Sequence, residues 1–384
     1  MTTVDNISSA RTLITILKVT GFWHWHKPEE KSGSITTLEL CYRFIVHLPL
    51  TFVFISLMWT EVLTSKSLEE AGNVMYITMT ETGLLCKIFN IWLMGKEAWS
   101  FIDELKKNKQ LQMRTDSECK LWLEEHRKFK RVAFSYIIGS LVVAYIAFIS
   151  VLFLSKYELA YGYYVPFEWK NPTKYWYAYF FDMIAMSLNC LSNITLDMTY
   201  CYFMFHIGAL YKLISFRLAA LEQMKEVDVI RELKSIFRLH KHTKRLTLEC
   251  QRLVSAPVLA QIMLSALTLC FSGYRLIHLN IIKDLSQVFS MFNFLGVMAF
   301  QIFLFCYYAN EITVNANHLT WSAYNTNWLH YSKSTKNLVF IYMEFLKQPV
   351  TIKVANLFDV GLPIFSRTMN NAYSLFAVLI KMSN

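Results

Sequence analysis

Residues 132–155 read VAFSYIIGSLVVAYIAFISVLFLS and carry no charged side chain, whereas Lys128, Lys130 and Arg131 crowd the residues just before them. A helix needs about 20 apolar residues to cross a ~30 Å hydrocarbon core, so this run is long enough to span a bilayer. Cytoplasmic flanks keep positive charge, so its start is expected inside and its end outside. The rest of the chain agrees. Of 384 residues, 54% are apolar, 16% aromatic and only 17% charged, and mean hydropathy is +0.31. Soluble domains carry roughly 25% charge, so the composition is that of a membrane protein.

Working outward, six further windows are long enough to span: 40–63, 71–95, 175–204, 254–279, 286–309 and 354–380. The second contains Glu81 and Lys87, and the last is interrupted by Gly361, Pro363 and Arg367. Lys and Arg concentrate in 1–39, 96–131, 205–253 and 310–353. The other side holds only Lys66, Lys156, Lys170, Lys174, Arg275, Lys283 and Lys381. The expected fold is therefore an all-α membrane protein of seven transmembrane helices, with a cytoplasmic N-terminus and an extracellular C-terminus. The net charge of +10 is mostly this topology signal, and no nucleic-acid role follows from it. A seven-helix metabotropic receptor has the opposite orientation. Cys41, Cys86, Cys119, Cys190, Cys201, Cys250, Cys270 and Cys306 all fall in spans or inside, so no outer disulfide is expected. Residues 1–39 show no cleavable signal pattern.

The inner segments have helical patterns of their own. Trp99, Ile102, Leu105 and Leu111 recur at amphipathic spacing, as do Val229, Leu233, Ile236 and Leu239. Spans 4 to 6 are thus expected to continue into the cytoplasm as packed helices. Outside, Tyr157–Trp176 is crowded with aromatics and closed by Pro166 and Pro172, which suggests a lid over the outer ends.

No hydrolase elbow, P-loop, dinucleotide fingerprint or zinc motif is present, so neither an enzyme nor a cofactor is indicated. Asn193-Ile-Thr195 fits a glycosylation sequon inside a span, out of a transferase's reach. Arg43, Lys87 and Asp182 are placed near span ends, where they can snorkel. Glu81, Asp197 and Arg367 lie deeper and are expected to face protein. A transporter would repeat such acids in two related halves, and none are visible. Four spans carry aromatic and Met residues on one face of their outer halves: Met75, Tyr76, Met79 and Thr80; Tyr145, Phe148, Ile149 and Leu152; Tyr175, Tyr179, Met183, Met186 and Ser187; Phe289, Phe292 and Asn293. Such stripes suit a site for a loosely shaped hydrophobic ligand. Spacing alone favours plain helix packing over a ligand site.

From Tyr307 onward the sequence becomes diagnostic. Asn310-Glu311, Ala323-Tyr324 followed by Trp328, Lys347-Gln348-Pro349 and Tyr373-Ser374 resemble the carboxyl-terminal signature of insect odorant receptors. Related gustatory receptors close with Gln-Phe where Ile380-Lys381 stands here, so the odorant branch is preferred. The family's co-receptor carries a long insert between spans 4 and 5, where this chain has only residues 205–253, so it looks like a ligand-tuned subunit. The resemblance implies a tetrameric, ligand-gated, weakly selective cation channel in the plasma membrane of a sensory neuron's dendrite, assembled with the co-receptor. It turns the four stripes into a pocket for a small hydrophobic volatile. It also divides the chain into a cytoplasmic segment (1–39), six spans with the pocket and helical extensions (40–310), a cytoplasmic anchor (311–353) and a pore-lining helix (354–384). By register with the family, Phe376 and Ile380 stand where apolar gate residues project, one turn apart. Tyr373 would transmit motion from the pocket. Lys381 would carry its ammonium away from the cation path into outer solvent.

Overall fold

The computed structural model describes residues 5–23, 33–153, 157–279, 285–355 and 357–383. Along the chain these form α1 (Arg11–Val19), α2 (Gly33–His47), a π-helical turn (Leu48–Val53), α3 (Phe54–Thr64), α4 (Leu68–Leu93), α5 (Gly95–Lys107) and α6 (Asp116–Leu152). There follow α7 (Pro172–Ala220), α8 (Glu226–His278), α9 (Leu285–Tyr324), α10 (Lys333–Leu346), β1 (Lys353–Val354), β2 (Phe358–Asp359) and α11 (Leu362–Ser383). Lys156 and Lys283, used above for orientation, lie outside the described residues.

Starts of these helices are written in the sequence. Ser67 Oγ and Thr115 Oγ1 accept from the backbone N–H of Glu70 and Glu118, at 3.1 and 3.2 Å. Those glutamates reach back to the N–H of Lys66 and Arg114, two capping boxes that satisfy otherwise orphaned donors. Pro172 opens α7, where its missing N–H costs nothing.

Five helical stretches among the described residues are long and apolar enough to cross a membrane: Thr37–Thr64, Asp116–Leu152, Pro172–Gln223, Glu226–Ile277 and Leu285–His330. The windows read as spans 2 and 7 form helices α4 and α11 but do not reach that threshold. Their polar residues lower the hydropathy, and in α4 Thr78, Glu81 and Lys87 are buried against protein. A helix of 49 residues is roughly 75 Å long, so α7 overshoots any bilayer core by more than half its length. Its inner part is buried on every side, from Ser192 to Leu210 without a gap, so α7 is the axle on which α6, α8 and α9 pack.

The overshoot builds the inner region. Val229, Leu233, Ile236 and Leu239 are all buried, as are Ile102, Leu105 and Leu111. Arg217 makes two 2.9 Å bonds to Glu118 across α7 and α6, with both side chains almost wholly covered. Tyr342 of α10 meets His240 Nδ1 at 3.3 Å. The amino-terminal helix docks here too, through Leu13 and Leu17, the Ser9 hydroxyl against His126 Nδ1 at 2.8 Å, and Tyr202 donating to Asn6 O.

Residues 353–359 depart from the expectation that span 7 starts at 354. Lys353–Val354 and Phe358–Asp359 pair as two antiparallel strands, Lys353 opposite Asp359, with Ala355 at φ 49°. Side chains of α8 hold the backbone here: Lys353 N–H donates to Gln251 Oε1 and Ala355 N–H to Ser255 Oγ. With those donors taken and Pro363 in the first turn, the helix begins only at Leu362.

Candidate functional site

The outer halves of α4, α6, α7 and α9 converge on a narrow cavity of about 50 Å³, room for a few waters at most. Ile77, Thr80, Met186, Phe294, Val297 and Met298 supply much of its apolar wall. Its polar edge is Glu81, Tyr136, Ser140, Asn193 and Gln301. A second recess, lined by Tyr76, Arg275, Met291 and Phe294, lies against it and shares Val143, Tyr161 and Phe294. Tyr76 sits edge-on to Phe294 at 5.1 Å and under the Arg275 guanidinium at 5.0 Å. Arg275 is half-buried, and a cation so placed over an aromatic face contributes about 0.5–1 kcal/mol, which ties α4 to α8.

The aromatic loop is the roof. Ala160, Tyr161 and Tyr163 are buried; Tyr163 donates to Ala178 O at 3.1 Å, Tyr175 to Glu158 O at 2.9 Å, and Tyr164 N–H to Leu57 O at 3.1 Å. Asp182 corrects the sequence reading. It is not a snorkelling residue at the rim but wholly buried, and it accepts the Tyr161 N–H at 3.1 Å. A carboxylate that fixes a loop backbone cannot also reach water.

Lys87 is a second correction. Its ammonium is buried between α4 and α7, 2.5 Å from Asp197 Oδ1 and 2.6 Å from Asn193 Oδ1. Asp197 also accepts from Gln301 of α9. Three helices are thus bound by one polar cluster just below the cavity, and the sequon asparagine is one of its members. Glu81 stands apart. Its carboxylate oxygens make no well-aligned hydrogen bond among the described residues; the Asn189 amide beside it is its nearest donor but also donates to Leu50 O, and the Lys87 ammonium acts on it through space. Arg43 pairs with Glu39 at 2.5 Å, and Arg367 is exposed on α11.

The expected ligand residues divide. Tyr76, Thr80 and Met186 line the two spaces, with Met75 and Met79 half-buried on α4 beside them. Phe148, Tyr175 and Tyr179 are buried in the aromatic cluster under the roof, Tyr179 donating to Phe148 O. Met183 packs against that cluster, and Ser187 donates to Tyr145 Oη at 3.2 Å. Tyr145, Ile149 and Leu152 are exposed on the outer surface of α6, as are Phe289 and Phe292 on α9. Asn293 Nδ2 returns to Phe289 O, one turn back. On α9 the cavity receives the opposite stripe, Met291, Phe294 and Met298. Both stripes are apolar at helical spacing, so periodicity could not choose between them. Tyr161 was hidden for another reason: it stands in a loop, where no period exists.

On α11, Ala372 and Thr368 are buried, Phe376 and Ile380 half-buried, and Tyr373 and Lys381 exposed. The Phe376 ring lies over Gly273 of α8, where an added Cβ would stand 3.2 Å from it. Gly361, just before α11, lies similarly close to Asn310 of α9, and Trp328 stacks edge-on to Phe340 at 5.0 Å. Of the diagnostic residues of the carboxyl-terminal region, Asn310 and Trp328 thus sit at contacts between segments, whereas Tyr324, Tyr373 and Ser374 are exposed.

Comparison with known proteins agrees with this architecture. The family model described as 7tm Odorant receptor matches residues 67–373. Odorant receptor 94a of Drosophila melanogaster is 47% identical, with 99% of each chain covered. The Odorant receptor coreceptor of that species is 24% identical over 42% of this chain and 33% of its own. The structure of the insect olfactory receptor OR5 from Machilis hrabei, solved also in complex with eugenol, superposes with a TM-score of 0.83 at 18% identity, covering 99% of this chain and all of that one. A capped helical bundle, a family match across most of the chain and a full-length relative place this protein in the insect odorant receptor family, as a member distinct from the co-receptor.

Proposed function

We propose that the chain is the ligand-tuned subunit of an odorant-gated, non-selective cation channel, assembled with the co-receptor in a tetramer at the plasma membrane of sensory dendrites. In this reading seven helices cross the membrane, α4 and α11 included, with the amino terminus inside. An aromatic volatile of about the size of the eugenol held by the Machilis hrabei receptor enters the space between α4, α6, α7 and α9. The observation that carries the reading is the narrow, mostly apolar cavity that Tyr161 roofs and Glu81 edges. The cavity is smaller than such a ligand, so its wall must yield, and the flexible Met186 and Met298 beside Phe294 are the side chains most easily repacked.

Glu81 sets the ligand's polarity. Its buried carboxyl has only the poorly aligned Asn189 amide beside it, and an under-satisfied buried polar group is costly, so a ligand hydroxyl that bonds to it recovers interaction. Opening then requires that the ligand favour the open arrangement over the closed one. Phe376 and Ile380 lie at the border between the packed and exposed faces of α11. A modest rotation of that helix moves their apolar side chains toward or away from a central pore, which a dry ring closes without charge.

The test is co-expression with the co-receptor and recording of current evoked by a panel of phenols and their methyl ethers. Glu81→Met is expected to raise the half-maximal concentration of the hydroxyl compounds by about tenfold, one hydrogen bond's worth, and to leave the ethers unchanged. Equal shifts for both series, at equal surface expression, contradict the role of Glu81. No evoked current from any volatile contradicts the receptor reading.

A further inference from the structure

On the bilayer side of the cavity, α6 and α9 do not close on each other. They leave an open groove of about 560 Å³ whose floor is Gly139 and Gly296 and whose flank is Phe292. At both glycines an added Cβ would meet nothing within 4 Å, so the gap is not filled by neighbouring side chains. Tyr136, Ser140, Val143 and Val297 line this groove and the inner cavity alike. One layer of side chains therefore separates membrane from ligand space. Val143 and Val297 are only partly buried, and Ser140 sits beside the Tyr136 phenol in the same layer. By contrast, the route from above is covered by Tyr161, whose backbone is tied to Asp182.

From this continuity we propose that the groove between α6 and α9 is the entry port through which hydrophobic volatiles dissolved in the bilayer reach the cavity. The proposal rests on the odorant-binding reading given above. An apolar volatile concentrates in the hydrocarbon for the same reason that apolar side chains leave water. A lateral port draws on that concentrated pool. Passage requires only that Val143, Val297 and the Tyr136 ring shift, with no backbone hydrogen bond broken. The two glycines keep the outer vestibule open, and Phe292, exposed on its rim, offers a ring for the arriving ligand to lie on.

A port acts on rates rather than on affinity. The same obstacle is crossed on entry and on exit, so blocking it slows both and leaves their ratio alone. The experiment applies eugenol rapidly to cells co-expressing the co-receptor and measures onset, washout and half-maximal concentration for Gly139→Leu, Gly296→Leu and the double variant. Both Leu side chains fit the empty groove. Onset and washout are expected to slow together by about tenfold, equivalent to ~1.4 kcal/mol on the barrier, with the half-maximal concentration within about twofold of wild type. A second arm covers variants that fail to reach the surface. Gly139→Cys adds little bulk, and a lipophilic thiol reagent then fills the groove on channels already in place, with wild type treated identically as the control for its own cysteines. Unchanged kinetics in surface-expressed variants, as when a resident acyl chain already fills the groove, overturn the port alone. A shifted half-maximal concentration with unchanged rates overturns it too and makes the groove part of the binding site. A wild-type channel deaf to eugenol contradicts the ligand class proposed above, and the port with it.

Discussion

At the scale of single residues, the bundle depends on a few buried polar groups. Lys87 and Asp197 are each about 2% exposed or less and 2.5 Å apart. Removing one partner leaves the other charged and unpaired, at a cost of about 3–5 kcal/mol, whereas an apolar pair of similar volume can be nearly neutral. Lys87→Met and Asp197→Leu alone should therefore lower the thermal midpoint of the purified assembly and abolish surface expression, and the double variant should recover much of the loss. If the double variant is as damaged as the sum of the two singles, the pair is not a unit. A different group governs the inner region. Burial pulls the His126 imidazole down to about 4, and its Nδ1 is engaged by Ser9. An imidazole kept neutral by folding contributes stability fully above about pH 6.5, its unfolded value, and loses it as pH falls through the window down to about 4. Docking of α1 should weaken across that window, by up to about 3 kcal/mol. His126→Phe should remove that slope from a melting-versus-pH series, leaving the share of His240, also held near 4 by burial.

The helix scale shows what the sequence could and could not convey. The apolar runs of α6, α8 and α9 and the inner stripes at Val229, Leu233, Ile236 and Leu239 were legible because a helix repeats every 3.6 residues and burial follows that period. The face of α9 was not. Phe289 and Phe292 have the same spacing as Met291, Phe294 and Met298, and only the neighbours decide which stripe turns inward. Lys87 and Asp182 were misjudged because position along a span was taken for depth, and their partners are 110 and 21 residues away. The roof residue Tyr161 carries no period at all. Contacts between helices also yield a gating test. Gly273 gives the Phe376 ring its seat, and Arg275, two residues on, sits over Tyr76 at the outer recess. Gly273→Leu forces a side chain into the space the ring occupies, so α11 must shift. Current without odorant, or a response to odorant changed severalfold in size, is the expected outcome in whole-cell recording. Wild-type gating in that variant, at normal surface levels, would mean that the contact transmits nothing.

For the whole molecule, composition conveyed the membrane class, and the carboxyl-terminal signature conveyed the family. A single chain leaves much of α11 bare: Tyr373, Ser374, Ala377, Val378 and Lys381 are exposed. That bare strip beside the half-buried Phe376 and Ile380 is what the proposed tetramer would turn toward a common axis. The central claim is that α11 borders an ion path. The direct measurement is the rate at which a water-soluble, positively charged thiol reagent modifies Phe376→Cys and Ile380→Cys in channels co-expressed with the co-receptor, read as irreversible loss of odorant-evoked current. Modification that is fast with odorant present and slow without it is the predicted result. Cysteines at both positions that stay unreactive in open channels, while the evoked current persists undiminished, would place α11 against lipid and contradict the account.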